Sequence, residues 1–105
     1  MRQAFVLLVY LSSLWGSVAL QAQPPTYRPP EGYVPDAKTA TRIAVAVWSP
    51  IYGDKQIQSE KPYHASLKHG TWTVTGSLPV GFVGGVALAE ISKKDGRVLR
   101  VIHGK

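Results

Sequence analysis

The chain has 105 residues, a formal net charge of +6 from 12 Lys and Arg against 6 Asp and Glu, and no cysteine. That length limits it to one small domain, and without cysteine neither disulfide reinforcement nor thiol chemistry is open to it. The basic residues, among them Lys38, Arg42, Lys55, Lys61, Lys68, Lys93, Lys94, Arg97 and Arg100, are scattered. Such a charge favours acidic partners but offers no basic cluster for nucleic acid.

Met1, Arg2 and Gln3 precede an apolar run over residues 4–11, and small residues follow around Ser17 and Ala22. This is the three-part layout of a secretory signal. We expect a signal over residues 1–22, cut after Ala19 or Ala22, with an uncleaved anchor as the alternative. The run is too short for a confident transmembrane helix, so no membrane span is expected after cleavage. About 80 residues then remain, and a domain of that size buries only roughly 60 to 65% of the surface its unfolded chain exposes. Large aromatics therefore carry much of the core: Trp48 and Trp72 would each contribute about 4 to 6 kcal/mol of gross transfer energy.

Residues 23–35 are proline-rich and predict an extended linker, since proline fixes φ and removes backbone donors. Asp36 then suits an N-cap. Ala40, Ile43, Ala44, Val47, Trp48 and Ile51 recur at three- and four-residue spacing on one face of an amphipathic helix of about four turns. Pro50 should kink that helix or let Ser49 cap a new turn, and Gly53 should end it. Residues 54–61 are polar apart from Ile57 and read as a connection with room for a short helical turn.

From Pro62 the period changes to two. A His69-Gly70 turn sets Leu67 against Trp72, Ala65 against Val74 and Tyr63 against Gly76 on one face. Lys68 with Thr71, Ser66 with Thr73 and His64 with Thr75 fall on the other. A second hairpin surrounds Lys93, Lys94, Asp95 and Gly96. A three-residue loop, with Gly96 left-handed, pairs Ile91 with Leu99, Ala89 with Val101 and Glu90 with Arg100. Between the hairpins, residues 77–85 carry Leu78, Val80, Phe82 and Val83 among proline and glycine. This loop either folds onto the core, the reading we favour, or presents apolar surface to a partner. The fold class is thus α+β, with one main amphipathic helix packed on a four-stranded antiparallel sheet across residues 36–105.

His64, His69 and His103 lack metal-ligand spacing, and no nucleophile motif is present. No metal, cofactor or catalytic residue is therefore expected: Glu90, Asp36 and the histidines could in principle make an acid-base pair, but Glu90 already has Arg100 as its register partner, which favours the ionised carboxylate. Aromatic and apolar side chains outside the core are the candidate partner contacts: Tyr52 beside the helix end, His69 at the turn, and Leu78, Val80, Phe82 and Val83 in the loop.

The segments VPDAKTATRIAVAVWSPIYG, KPYHASLKHGTWTVTG and GGVALAEISKKDGRVLRVIHGK, taken in this order, resemble the NTF2-fold immunity proteins of bacterial polymorphic toxin systems. The resemblance covers the whole expected domain. It implies a bacterial protein that binds and neutralises a cognate protein toxin without catalysis, on a reduced NTF2-like or cystatin-like scaffold of one helix on a curved sheet. With the export signal, it implies a toxin acting outside the cytoplasm, in the periplasm or beyond. Two alternatives remain open: a periplasmic inhibitor or accessory module with another protein or cell-wall target, and a small NTF2-like enzyme.

Overall fold

The computed structural model describes residues 24–105; the expected signal, residues 1–22, lies outside them. Two helices, α1 (Ala37–Tyr52) and α2 (Asp54–Ser59), precede four strands, β1 (His64–Lys68), β2 (Thr71–Thr75), β3 (Ala87–Ser92) and β4 (Val98–His103). The strands form one antiparallel sheet in the order β1-β2-β3-β4, with α1 against one face. This is the expected α+β arrangement of one main helix on a four-stranded sheet.

Helix α1 starts where its sequence provides a cap. The Asp36 carboxylate accepts the Thr39 amide at 2.8 Å, satisfying a donor that has no partner within the helix. Ala40, Ala44 and Trp48 are fully buried, and the two alanines let the helix axis lie close to the sheet. The helix runs on through Pro50 to Tyr52 instead of restarting at Ser49. Pro50 is exposed, so the backbone acceptor it leaves unpaired lies where water can reach. Gly53 ends α1 and opens α2. Ile51 is a correction to the expected buried face: it is exposed, because the last turn packs through Tyr52, about 100° around the helix. Ile57, expected in a connection, sits in α2 as a core residue.

The first hairpin has the expected register from Lys68 with Thr71 to His64 with Thr75. Its turn has φ 50° at His69 and 74° at Gly70, the two positive values that a type I′ connection demands. The second hairpin departs from the expected loop. The Gly96 amide returns to the Ser92 carbonyl and the Ser92 amide to the Arg97 carbonyl, both at 2.9 Å, which closes a four-residue loop. Ile91 therefore faces Val98, not Leu99, and a bulge beside Glu90 and Ile91 absorbs the extra residue. Beyond the bulge Glu90 meets Arg100 and Ala89 meets Val101, as expected.

Between α1 and the sheet, Trp48, Trp72, Val74, Ala87, Ala89 and Ile91 form the core. Val34 joins them, so the stretch expected as a linker has an ordered end. The Tyr33 and Val34 amides each donate at 3.0 Å to the Lys94 and Lys93 carbonyls, and the Val34 side chain is buried. Residues 33–34 thereby tie the entry to α1 to the tip of the second hairpin.

Candidate functional site

The loop over residues 77–85 leaves β2 and enters β3, and its apolar side chains do not return to the core. Exposure is 40% for Leu78, 101% for Val80, 67% for Phe82 and 96% for Val83. The Phe82 amide donates to the Pro79 carbonyl at 3.1 Å. Gly81 has φ 85°, the value required at the third position of a type II turn. A hydrogen-bonded turn therefore holds Val80 and Phe82 outward. Four large apolar side chains exposed within six residues make this loop the candidate interaction surface.

The other two candidates lie apart from this loop. His69 belongs to the turn before Thr71, at the opposite end of β2 from residues 77–85. That end borders an open cleft of about 620 Å³ lined by residues 28–33, Gly70 and residues 93–95, in which Lys93 is already paired with Glu31 at 3.7 Å. Tyr52 is half-buried, with its ring 5.0 Å from the His103 imidazole. The six candidates thus divide into a four-residue patch, an isolated turn histidine and an aromatic that belongs to a buried polar cluster.

At the centre of that cluster is Glu60, which lies in the connection between α2 and β1. Its side chain is 3% exposed, and each of its oxygens has a partner. Oε1 accepts the Ala87 amide at 2.7 Å. Oε2 accepts Gln56 Nε2 at 3.1 Å and lies 2.8 Å from His103 Nε2. Burial opposes ionisation of this carboxyl, but the Ala87, Gln56 and His103 contacts outweigh it and hold the group below the ordinary carboxylate range. The Glu60 hydrogen bond, aided by the Gly104 carbonyl, raises His103 above its ordinary value. Gly76 makes room for the arrangement: a Cβ there would lie 2.5 Å from Glu60 Oε1 and 2.8 Å from Glu60 Cβ.

The cluster grips both ends of the exposed loop. At the first end, the Ser77 amide donates to the Glu60 carbonyl at 2.7 Å and the Ser77 hydroxyl to the Pro62 carbonyl at 2.5 Å. At the other, the Ala87 amide is held by Glu60, and the Gly104 amide donates to the Val86 carbonyl at 3.1 Å. Gln56 is a local partner, but it does not mark Glu60 for this role, because Ala87 and His103 lie 27 and 43 residues later. The available signal was the joint presence of one carboxylate before Pro62, a glycine ending the tryptophan strand, and a histidine ending the last strand.

Glu90 and Arg100 form their expected cross-strand pair at 3.4 Å on the outer face of the sheet. Among the described residues, no group of three or more His, Asp or Glu side chains is placed to share a metal ion. Nor, among those residues, is any helix long and apolar enough to cross a membrane.

The uncharacterized protein YbbC of Escherichia coli (strain K12) is 42% identical over 55 residues, covering 51% of this chain and 45% of that protein. The uncharacterized protein YhhH of the same organism is 40% identical over 55 residues, covering 51% of this chain and 43% of that protein. The matched part is less than half the length of each relative. No solved structure matches the chain. A family model described as NTF2 fold immunity protein matches residues 39–105, from the first turn of α1 through all four strands. The protein therefore belongs to the NTF2 fold immunity protein family.

Proposed function

We propose that this protein is an exported immunity protein that binds and neutralises a protein toxin acting outside the cytoplasm, using the loop over residues 77–85 as its principal contact. The observation that carries the reading is the outward display of Leu78, Val80, Phe82 and Val83 by a domain of an immunity-protein family. Burying such a patch supplies affinity, and an aromatic near its centre is a characteristic anchor. Export is supported by the secretory layout of residues 1–22. The basic net charge, +6 for the whole chain with only Arg2 of the charged residues in the signal, favours a target with an acidic surface, through faster encounter more than through tighter contact.

Stoichiometric binding is favoured over catalysis by the state of the candidate acid and base groups. Glu90 is paired with Arg100, and both ring nitrogens of His103 face oxygen atoms. Both groups are already engaged within the domain, which weighs against their use as general acid or base toward a substrate.

The test has two arms. Residues 1–22 fused to alkaline phosphatase, an enzyme active only outside the cytoplasm, should give periplasmic activity; none would overturn the export part. A secreted toxin co-purified with this protein, directed to the periplasm, should arrest growth that co-expression of this protein restores. Rescue by wild type that fails with Val80→Ala combined with Phe82→Ala supports the loop as the contact; equal rescue by both overturns it.

A further inference from the structure

We propose that Glu60 and His103 form a proton-dependent latch that fixes both feet of the 77–85 loop, so that loss of one proton from His103 loosens the foot at Val86. The inference rests, for its consequence in binding, on the reading of this loop as the partner contact. The latch itself rests on geometry alone.

His103 Nε2 lies 2.8 Å from Glu60 Oε2 and Nδ1 lies 2.8 Å from the Gly104 carbonyl oxygen. Both neighbours are acceptors when Glu60 is ionised, so both ring nitrogens must donate. Only the imidazolium can do so. A neutral ring has one N–H, and it leaves one nitrogen lone pair facing an oxygen lone pair whichever tautomer it adopts. The bond to the buried carboxylate is charge-assisted on the acceptor side and is the stronger of the two. Deprotonation is therefore expressed at Gly104.

Gly104 is the residue whose amide holds the Val86 carbonyl at 3.1 Å, directly before β3. Its backbone also lies in tight contact with Gly85, so a shift of Gly104 reaches the loop without any intervening side chain. The Ser77 foot depends on the Glu60 and Pro62 carbonyls, and these do not titrate. The loop thus has one permanent foot and one proton-controlled foot. Two other titratable groups face the pair: Tyr52 of α1, against the imidazole, and Tyr63 before β1, whose hydroxyl donates to the Ile57 carbonyl at 2.7 Å. Burial and the Glu60 charge raise the Tyr63 phenol above its ordinary value, so it keeps its proton where His103 gives one up.

The test requires no partner, which separates its outcome from that of the toxin assay. Amide hydrogen exchange is followed by NMR on the isolated protein between about pH 6 and pH 8.5, as protection factors corrected for intrinsic base catalysis. In wild type, protection at Gly104 should lie below that at Thr73 in the middle of β2, which opens only with the whole domain, and should fall by up to about tenfold per pH unit once the imidazole titrates. In His103→Arg, which keeps a cation that does not titrate in this range, the Gly104 profile should be flat. A flat profile in wild type, or the same slope in wild type and His103→Arg, overturns the latch. Ring nitrogen shifts of wild-type His103 supply a second reading: at pH 6 both nitrogens should be protonated, and a neutral ring there overturns the proposal even if the variant fails to fold.

Discussion

The indole Nε1 of Trp72 donates to the backbone carbonyl of Val34 at 2.9 Å, across 38 residues of sequence. Trp48, the other core indole, is buried with its Nε1 lacking a partner among the described residues. The two tryptophans should therefore respond oppositely to loss of the N–H. Trp72→Phe removes a donor from a buried carbonyl as well as packing, and should destabilise by about 2 to 4 kcal/mol. Trp48→Phe relieves an unsatisfied donor while losing ring area, so its cost should be smaller, about 1 to 2 kcal/mol. Urea unfolding of the two variants side by side checks the order. Equal losses would show that ring volume alone decides.

The Glu60–His103 pair makes overall stability depend on pH from both directions. His103 is raised above its ordinary 6.5, so its contribution is complete below 6.5 and is lost as pH rises through its raised value. Glu60 is lowered from 4.5, so its contribution is complete above 4.5 and is lost as pH falls through its lowered value. Stability from this pair should therefore be greatest between 4.5 and 6.5. Thermal melts across pH should show the alkaline decline in wild type and its disappearance in His103→Gln. Glu60→Ala should be costlier in the window between 4.5 and 6.5, about 3 to 5 kcal/mol, because it leaves the imidazolium and the Ala87 amide without their acceptor.

Gly76 and Glu60 provide a more local check on the same cluster. Gly76→Ala would set its Cβ 2.5 Å from Glu60 Oε1, closer than side-chain atoms tolerate. The carboxylate must then move away from the Ala87 amide or the end of β2 must shift. A loss of about 1 to 3 kcal/mol is expected, in line with other overpacked sites. If displacement of Glu60 is the cause, the alkaline decline of stability should weaken in the same variant. A loss of stability with an unaltered pH profile would place the strain elsewhere.

These clusters also show which parts of the molecule the sequence could express. The His69-Gly70 hairpin was legible because every pair it implies is apolar with apolar or polar with polar, and a slip of one residue would invert all of them. The α1 stripe from Ala40 to Trp48 was legible from its period, but Ile51 was not: the choice between it and Tyr52 depends on what lies beyond the helix end, here His103. The second hairpin was read correctly from Glu90 inward and missed at Ile91, because a four-residue loop plus a bulge preserves the same distant pairs as a three-residue loop. Glu60 and Val34 were missed for a common reason. Their decisive partners, Trp72 for Val34 and Ala87 for Glu60, lie 38 and 27 residues away, and no local propensity encodes such contacts. The candidate surface was legible only as an alternative, since an apolar loop carries the same sequence whether it folds inward or outward.

The outward display of that loop predicts a separation of stability from binding. Val80 and Val83 are almost wholly exposed and Phe82 is two-thirds exposed, so truncating them removes little packing within the domain. Val80→Ala, Phe82→Ala and Val83→Ala should each leave the unfolding free energy within about 0.5 kcal/mol of wild type, as surface substitutions do. Leu78, at 40% exposure, should cost more because part of its side chain rests on the domain. Against a bound toxin the ranking reverses. Phe82→Ala should weaken affinity by at least about tenfold, the 1.4 kcal/mol expected of a buried aromatic anchor, with Val80→Ala and Val83→Ala smaller. Unfolding curves paired with calorimetric titration of the same four variants read both quantities. An affinity loss that merely tracks the stability loss would mean that the loop shapes the domain and that the contact lies on another surface.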